Sequence, residues 1–183
     1  MAVKLAKGQK VSLAKDLNGG SALTVIKMGL GWDTGSETID LDASCALYDA
    51  AKKELDSVWF RQLTSKCGAI KHSGDNLTGA GDGDDEVITV DLTKIKPEVQ
   101  HIVFAVTSFR GQSFKKVENA FVRICAANGT ELCRYALDAK VDSTGMIMAR
   151  LYRHNGEWKF AALGEPASGK IVSDLRDAIT RLF

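Results

Sequence analysis

Two Asn-Gly dipeptides, Asn128-Gly129 and Asn155-Gly156, each stand between apolar, β-prone runs. Both residue types tolerate positive φ, so Asn-Gly in that setting is the strongest short-range hairpin signal. The flanking runs are NAFVRICAA and ELCRYALD for the first pair, GMIMARLYRHN and EWKFAALGE for the second. Further runs of strand character precede them: Ala22 to Leu30, Asp40 to Asp49, Ser57 to Leu63, Glu86 to Leu92 and His101 to Phe109. In EVITVDL the alternation is clean, with Ile88, Val90 and Leu92 on one face and Val87, Thr89 and Asp91 on the other. Many short strands with frequent turn signals predict a mainly β fold, a two-sheet β-sandwich. Neither proline falls inside an expected strand, and Pro97 is expected to start a turn. Ile171, Leu175, Ile179 and Leu182 recur at helical spacing and predict a C-terminal helix over Lys170 to Phe183, with Ser168 as its N-cap.

The chain has 183 residues, which predicts one domain over 1–183. The net charge of +1 gives no overall attraction for nucleic acid or an anionic membrane. No signal peptide and no membrane-spanning stretch is expected, so the cytoplasm is the expected location. There the four cysteines, Cys45, Cys67, Cys125 and Cys133, should be reduced. None is spaced as a zinc site. Cys125 and Cys133 flank the first Asn-Gly turn and are expected to lie close across the hairpin, which keeps a thiol redox role as an alternative to simple packing.

One segment departs from the rest. HSGDNLTGAGDGDDE, His72 to Glu86, carries Asp75, Asp82, Asp84, Asp85 and Glu86 among glycines, and no Lys or Arg occurs between Lys71 and Lys94. Clustered carboxylates repel, and no basic residue nearby in sequence offsets them. A hard cation would: calcium takes oxygen ligands from carboxylates, amides and backbone carbonyls, and glycines let the backbone bend around it. The spacing is not that of an EF-hand. The competing reading is a solvated acidic loop. Upstream, Asp33 follows GLGW, and Asp40, Asp42 and Ser44 share one strand face by alternation. Two carboxylates on one face are bridged by a cation, or they form a solvent-facing strand edge. His72, three residues before Asp75, is expected at the surface, with a place near the metal as the alternative. No HExxH pattern, phosphate-binding loop or Ser-His-Asp arrangement can be assigned, and Trp32, Trp59 and Trp158 are expected in the core or at its rim.

These motifs resemble the TerD family of bacterial tellurium-resistance and stress proteins. The family's loop has the form GDNxTGxGxGDDE, matched here from Gly74 to Glu86. GLGWD, IDLDAS, RGQSFKKVENAFVRI, NGTELCRY and LYRHNGEWKFAALGEPASG follow the family's order, so the resemblance covers essentially the whole chain. Ala80 departs from it, standing where many members carry an acidic residue. The resemblance implies a calcium-binding β-sandwich that is not an enzyme, holding one or two Ca2+ ions. It places ligands at Asp40, Asp42, Asp75, Asn76, Asp84, Asp85 and Glu86, with Asp33 and Asp82 completing the candidate set. It also implies partners among other proteins of the tellurite and stress system, some at the inner membrane, without insertion of this chain into the bilayer and without nucleic acid. The alternative is a thiol-dependent enzyme or scavenger acting on tellurite.

Overall fold

The computed structural model describes residues 2–15, 17, 23–33, 39–75, 83–136 and 141–183. In chain order the strands are β1 (Val3–Leu5), β2 (Lys10–Ser12), β3 (Val25–Asp33), β4 (Leu41–Tyr48), β5 (Glu54–Val58) and β6 (Ile70–His72). They continue as β7 (Glu86–Asp91), β8 (His101–Ser108), β9 (Glu118–Ala126), β10 (Glu131–Ala136), β11 (Gly145–His154) and β12 (Glu157–Ala167). The first sheet runs β1-β10-β9-β3-β7-β6 and the second β2-β12-β11-β8-β4-β5. All pairings are antiparallel except β1 with β10.

Side-chain alternation explains the sandwich. On β7, Ile88 and Val90 are buried while Val87, Thr89 and Asp91 are half-buried. The inward residues meet Ile26, Met28 and Ile124 of the same sheet and Leu41, Cys45, Leu47, Ile102, Phe104 and Leu151 of the other. β4 and β8 are buried on both faces. Their outer residues Ala46, Tyr48, Val103 and Ala105 pack under Val172, Leu175 and Ile179 of the C-terminal segment. Burying each of those three side chains contributes about 1.5–3 kcal/mol.

The two expected hairpins form, by different turns. Asn155 and Gly156 both have positive φ, 51° and 78°, the signature of a type I′ turn. At the other, Gly129 alone is left-handed, at φ 86°. Its N–H reaches Ala126 O at 2.9 Å and the register shifts between Glu131 and Cys133, as in a type I turn with a glycine bulge.

Elsewhere the chain departs from expectation. The C-terminal helix is shorter than predicted, a 3₁₀ turn at Val172–Leu175 followed by α1 (Arg176–Thr180). Its start is capped by Asp174 rather than Ser168: one Asp174 oxygen accepts from the N–H groups of Lys170 and Ile171 at 2.9 and 3.2 Å. So short a helix depends on its packed face, not on propensity. The run expected over 57–63 is strand only to Val58, after which Trp59 and Gln62 close a turn through paired backbone bonds at 3.1 and 2.8 Å. Pro166 falls inside β12, near its end and beyond the stretch Lys159 to Ala161 that β2 covers. β1, β2 and β6, three residues each, were not expected at all.

Candidate metal centre

Glu86 has the same phase as Ile88 and Val90, so β7 aims a carboxylate between the sheets, where its side chain is fully buried. Its partner is an unfinished strand edge. β5 pairs with β4 only from Cys45 onward, leaving the polar groups of Ala43 uncovered on that side. Ala43 N–H donates to Glu86 Oε2 at 2.5 Å. His72, at the end of β6, donates from Nε2 to Ala43 O at 3.0 Å and accepts at Nδ1 from Gly74 N–H at 3.0 Å. That pair of contacts assigns the neutral tautomer with its proton on Nε2. His72 is therefore not a surface histidine: its ring is fully buried, 3.4 Å from Glu86. Burial disfavours the imidazolium, but Glu86 and the Ala43 carbonyl outweigh it and hold the His72 pKa above its ordinary value. Two side chains of the first sheet thus complete the edge of the second.

Beside this seam three carboxylates converge. One oxygen from each of Asp40, Asp42 and Asp75 lies within 4.8 Å of the other two. Asp40 and Asp42 are only 6% and 4% exposed, while Asp75 is open to solvent. Arg110 Nε stands 3.3 Å from Asp40 Oδ2 and offsets part of the charge. Asp40 Oδ1 and Asp42 Oδ2 are buried with no hydrogen-bond partner among the described residues. A buried acceptor without a donor costs about 1–3 kcal/mol, more when charged. Two unit charges at 4.8 Å repel by about 3.5 kcal/mol at an effective dielectric of about 20. Burial first, then the charges of Glu86, Asp40 and Asp75, push the Asp42 pKa up to about 7. Burial also raises that of Asp40, against the lowering effect of Arg110. An oxygen-only donor set with unpartnered buried lone pairs is the chemistry a hard divalent cation uses.

The remaining acidic residues face elsewhere. Asp84 crosses the outside of the first sheet to a bidentate pair with Arg123 on β9, Nε to Oδ1 at 2.7 Å and Nη2 to Oδ2 at 3.1 Å. It passes directly over Gly29, opposite Arg123 in the register, where any Cβ would collide with the carboxylate. Arg123 also donates to Glu131 at 2.9 Å, and Arg134 closes the network on Glu131. The basic partner missing from the local sequence window thus arrives from a distant strand. Asp85 extends the β3–β7 pairing: its N–H donates to Leu30 O at 2.8 Å, and its carboxylate accepts from Trp32 N–H at 2.9 Å. Burial raises its pKa, which the Trp32 bond partly counters. Asp33 accepts from Asn119 Nδ2 at 2.7 Å. Asn76 and Asp82 lie outside the described residues. Of the sequence candidates, the structure brings together Asp40, Asp42 and Asp75, with Glu86 behind them. It holds Asp33, Asp84 and Asp85 on protein donors. Arg110, Arg123 and the buried role of His72 escaped the sequence because they depend on pairing between distant strands.

Cys125 and Cys133 lie close across the hairpin, as expected, but offset: Cys133 pairs with Ile124 and Cys125 with Glu131, and of the two only Cys133 belongs to the inter-sheet core. Burial pushes the Cys133 thiol up to about 12 and raises Cys45 and Cys125 as well.

The chain matches the TerD domain over residues 1–177. It belongs to the TerD family. Among TerD-family relatives, tellurium resistance protein TerZ of Serratia marcescens is 47% identical over 97% of this chain and 96% of its own length. General stress protein 16U of Bacillus subtilis is 45% identical over 94% of each. A solved TerD-type structure, described as a homologue of telluride resistance protein (TerD) from Streptomyces coelicolor A3(2), superposes with a TM-score of 0.71 at 22% identity, over 87% of this chain and 98% of that one. At that identity the likeness shows the shared sandwich alone. Among the described residues no helix is long and apolar enough to cross a membrane.

Proposed function

We propose that this member of the tellurium-resistance and stress-response family is a non-enzymatic calcium-binding protein of the cytoplasm that acts through protein partners. The observation that carries the reading is the convergence of Asp40, Asp42 and Asp75 with two buried oxygens that have no partner among the described residues. Asp40, Asp42 and Asp75 would hold the ion, and the ion would supply the positive charge that the buried carboxylates lack. Magnesium fits less well, because it demands a tight octahedron and gives up water reluctantly. High thiol pKa values disfavour a thiolate-based alternative. Relatives named for tellurium resistance and general stress support a role in the same responses. The partner reading is tested by affinity capture from cells grown with and without tellurite, comparing wild type with Asp42→Asn. Calorimetric titration of the isolated protein with calcium tests the ion: saturable binding that Asp42→Asn abolishes supports it, and no heat of binding overturns it.

A further inference from the structure

The open edge of the second sheet carries a different charge pattern from the acidic end. A cavity of about 510 Å³ lies along β5, lined by Lys52, Lys53, Glu54, Asp56, Lys66 and Arg176 among others. That volume is within the range of small-molecule sites. Three of the four oxygens of its two carboxylates accept from donors of the protein. Asp56 Oδ1 accepts from Ser57 N–H at 3.0 Å and Gln62 Nε2 at 2.9 Å, and Oδ2 accepts from Lys66 N–H at 2.7 Å. Glu54 accepts from Arg176 Nε at 2.8 Å. The Lys66 ammonium is 3.9 Å from Asp56, beyond hydrogen-bond length, and its side chain is 77% exposed. Four cationic side chains, Lys52, Lys53, Lys66 and Arg176, thus line the cavity against two carboxylates.

The turn that supplies two of the lysines is fixed, not floppy. Asp49 Oδ1 accepts from the N–H groups of both Ala51 and Lys53 at 2.9 Å. Lys52 is held at φ 65°, where a side chain other than glycine costs roughly 1–2 kcal/mol. Its ammonium rests on Thr180 O at 3.1 Å, which ties the turn to the C-terminal segment. Behind the turn stands Arg150, buried, with its Nε unpartnered and no ion pair among the described residues. Burial first, then Arg150 and Lys52, bring His101 down to about 4.

We infer that this cavity is an oxyanion-binding site, built from Lys52, Lys53, Lys66 and the outer nitrogens of Arg176. A compact, multiply charged oxyanion of the phosphate class matches it: ammonium groups act as point charges and guanidinium as a directed fork. Such an anion has two sources, a small phosphorylated metabolite or the tellurite oxyanion, and both would use the same donors. The site is independent of calcium.

The test is a titration of the full chain in chelator, followed by backbone amide shifts, with inorganic phosphate in one arm and tellurite in the other. Saturable shifts at Lys52 to Ser57, Gln62 and Lys66 are expected in at least one arm. Saturation by phosphate alone identifies a phosphorylated ligand; saturation by tellurite at equal or lower concentration identifies the stress oxyanion. Lys53→Ser with Lys66→Ser, both exposed and outside short ion pairs, should weaken binding at least tenfold while leaving the fold intact. Asp42→Asn should leave it unchanged. Shifts that never saturate in either arm, or an affinity untouched by the double substitution, would overturn the assignment.

Discussion

The two acidic clusters sit at the same end of the sandwich and solve the same electrostatic problem in opposite ways. Asp84 reaches a guanidinium on its own sheet and forms two charge-assisted bonds. Among the described residues, Asp40, Asp42 and Asp75 have one partly exposed arginine at their margin, and two of their buried oxygens have no donor. The first cluster is complete within the chain. The second, under the function proposed above, would be completed by a cation. Acidic composition alone does not separate the two; the partners of the buried lone pairs do. Four experiments sharpen or break this contrast.

The largest effect concerns protons. Asp42 has its folded pKa raised from 3.8 to about 7. Between those values the folded state binds more protons than the unfolded, so this group's contribution makes stability fall as pH rises from about 4 to 7. Without calcium, Asp42→Asn should gain on wild type across that interval by up to about 4 kcal/mol. Denaturant titrations at pH 4.5 and 7.5 in chelator check this; a constant difference between the two proteins would break the contrast.

Calcium should come next. At about 100 times the dissociation constant, ligand linkage stabilises wild type by about 2.7 kcal/mol, a melting-temperature rise of about 5–10 °C. Asp42→Asn should lose that rise while melting no lower than wild type in chelator. Arg123→Ala should behave the other way. It leaves Asp84 without its partner, and because the pair is partly exposed the cost is discounted to about 2 kcal/mol, the same in calcium and in chelator. Asp84→Asn should likewise destabilise in both buffers, whereas a calcium ligand would be destabilised only when the ion is present. The smallest effect is expected from replacing Cys125 and Cys133 together by Ala. Calorimetry should find calcium affinity within a few-fold of wild type, and loss of tellurite protection by a folded variant would instead favour thiol chemistry.

What the sequence disclosed was local. The alternation of EVITVDL and the two Asn-Gly turns are properties of neighbouring residues, and each appears in the fold. The pairing of Asp40 with Asp42 was legible for the same reason, since one strand sets both. Arg123 was invisible as a partner because only the β3–β9 register brings it over Gly29. The burial of Glu86 was readable from its phase with Ile88, but the sign of that clue was ambiguous: an inward carboxylate can serve a metal or a backbone. His72 could not be placed without knowing that β5 stops short of Ala43. β1, β2 and β6 are shorter than one full alternation, so periodicity carries no signal there.

That short β5 has a consequence for how copies of the chain meet. From Leu41 to Ser44, β4 pairs with β8 on one side but, among the described residues, with no strand on its β5 side, and a strand edge left open in this way is a template for a strand from another molecule. Glu86 and His72 occupy the N–H and C=O of Ala43 on that side. The two side chains thus hold the polar groups through which another strand would pair at this point. Glu86→Ala should release the edge while leaving the apolar residues Leu41 and Ala43 in place beside it, so that association between chains, measured by light scattering against concentration, grows before the fold itself is lost.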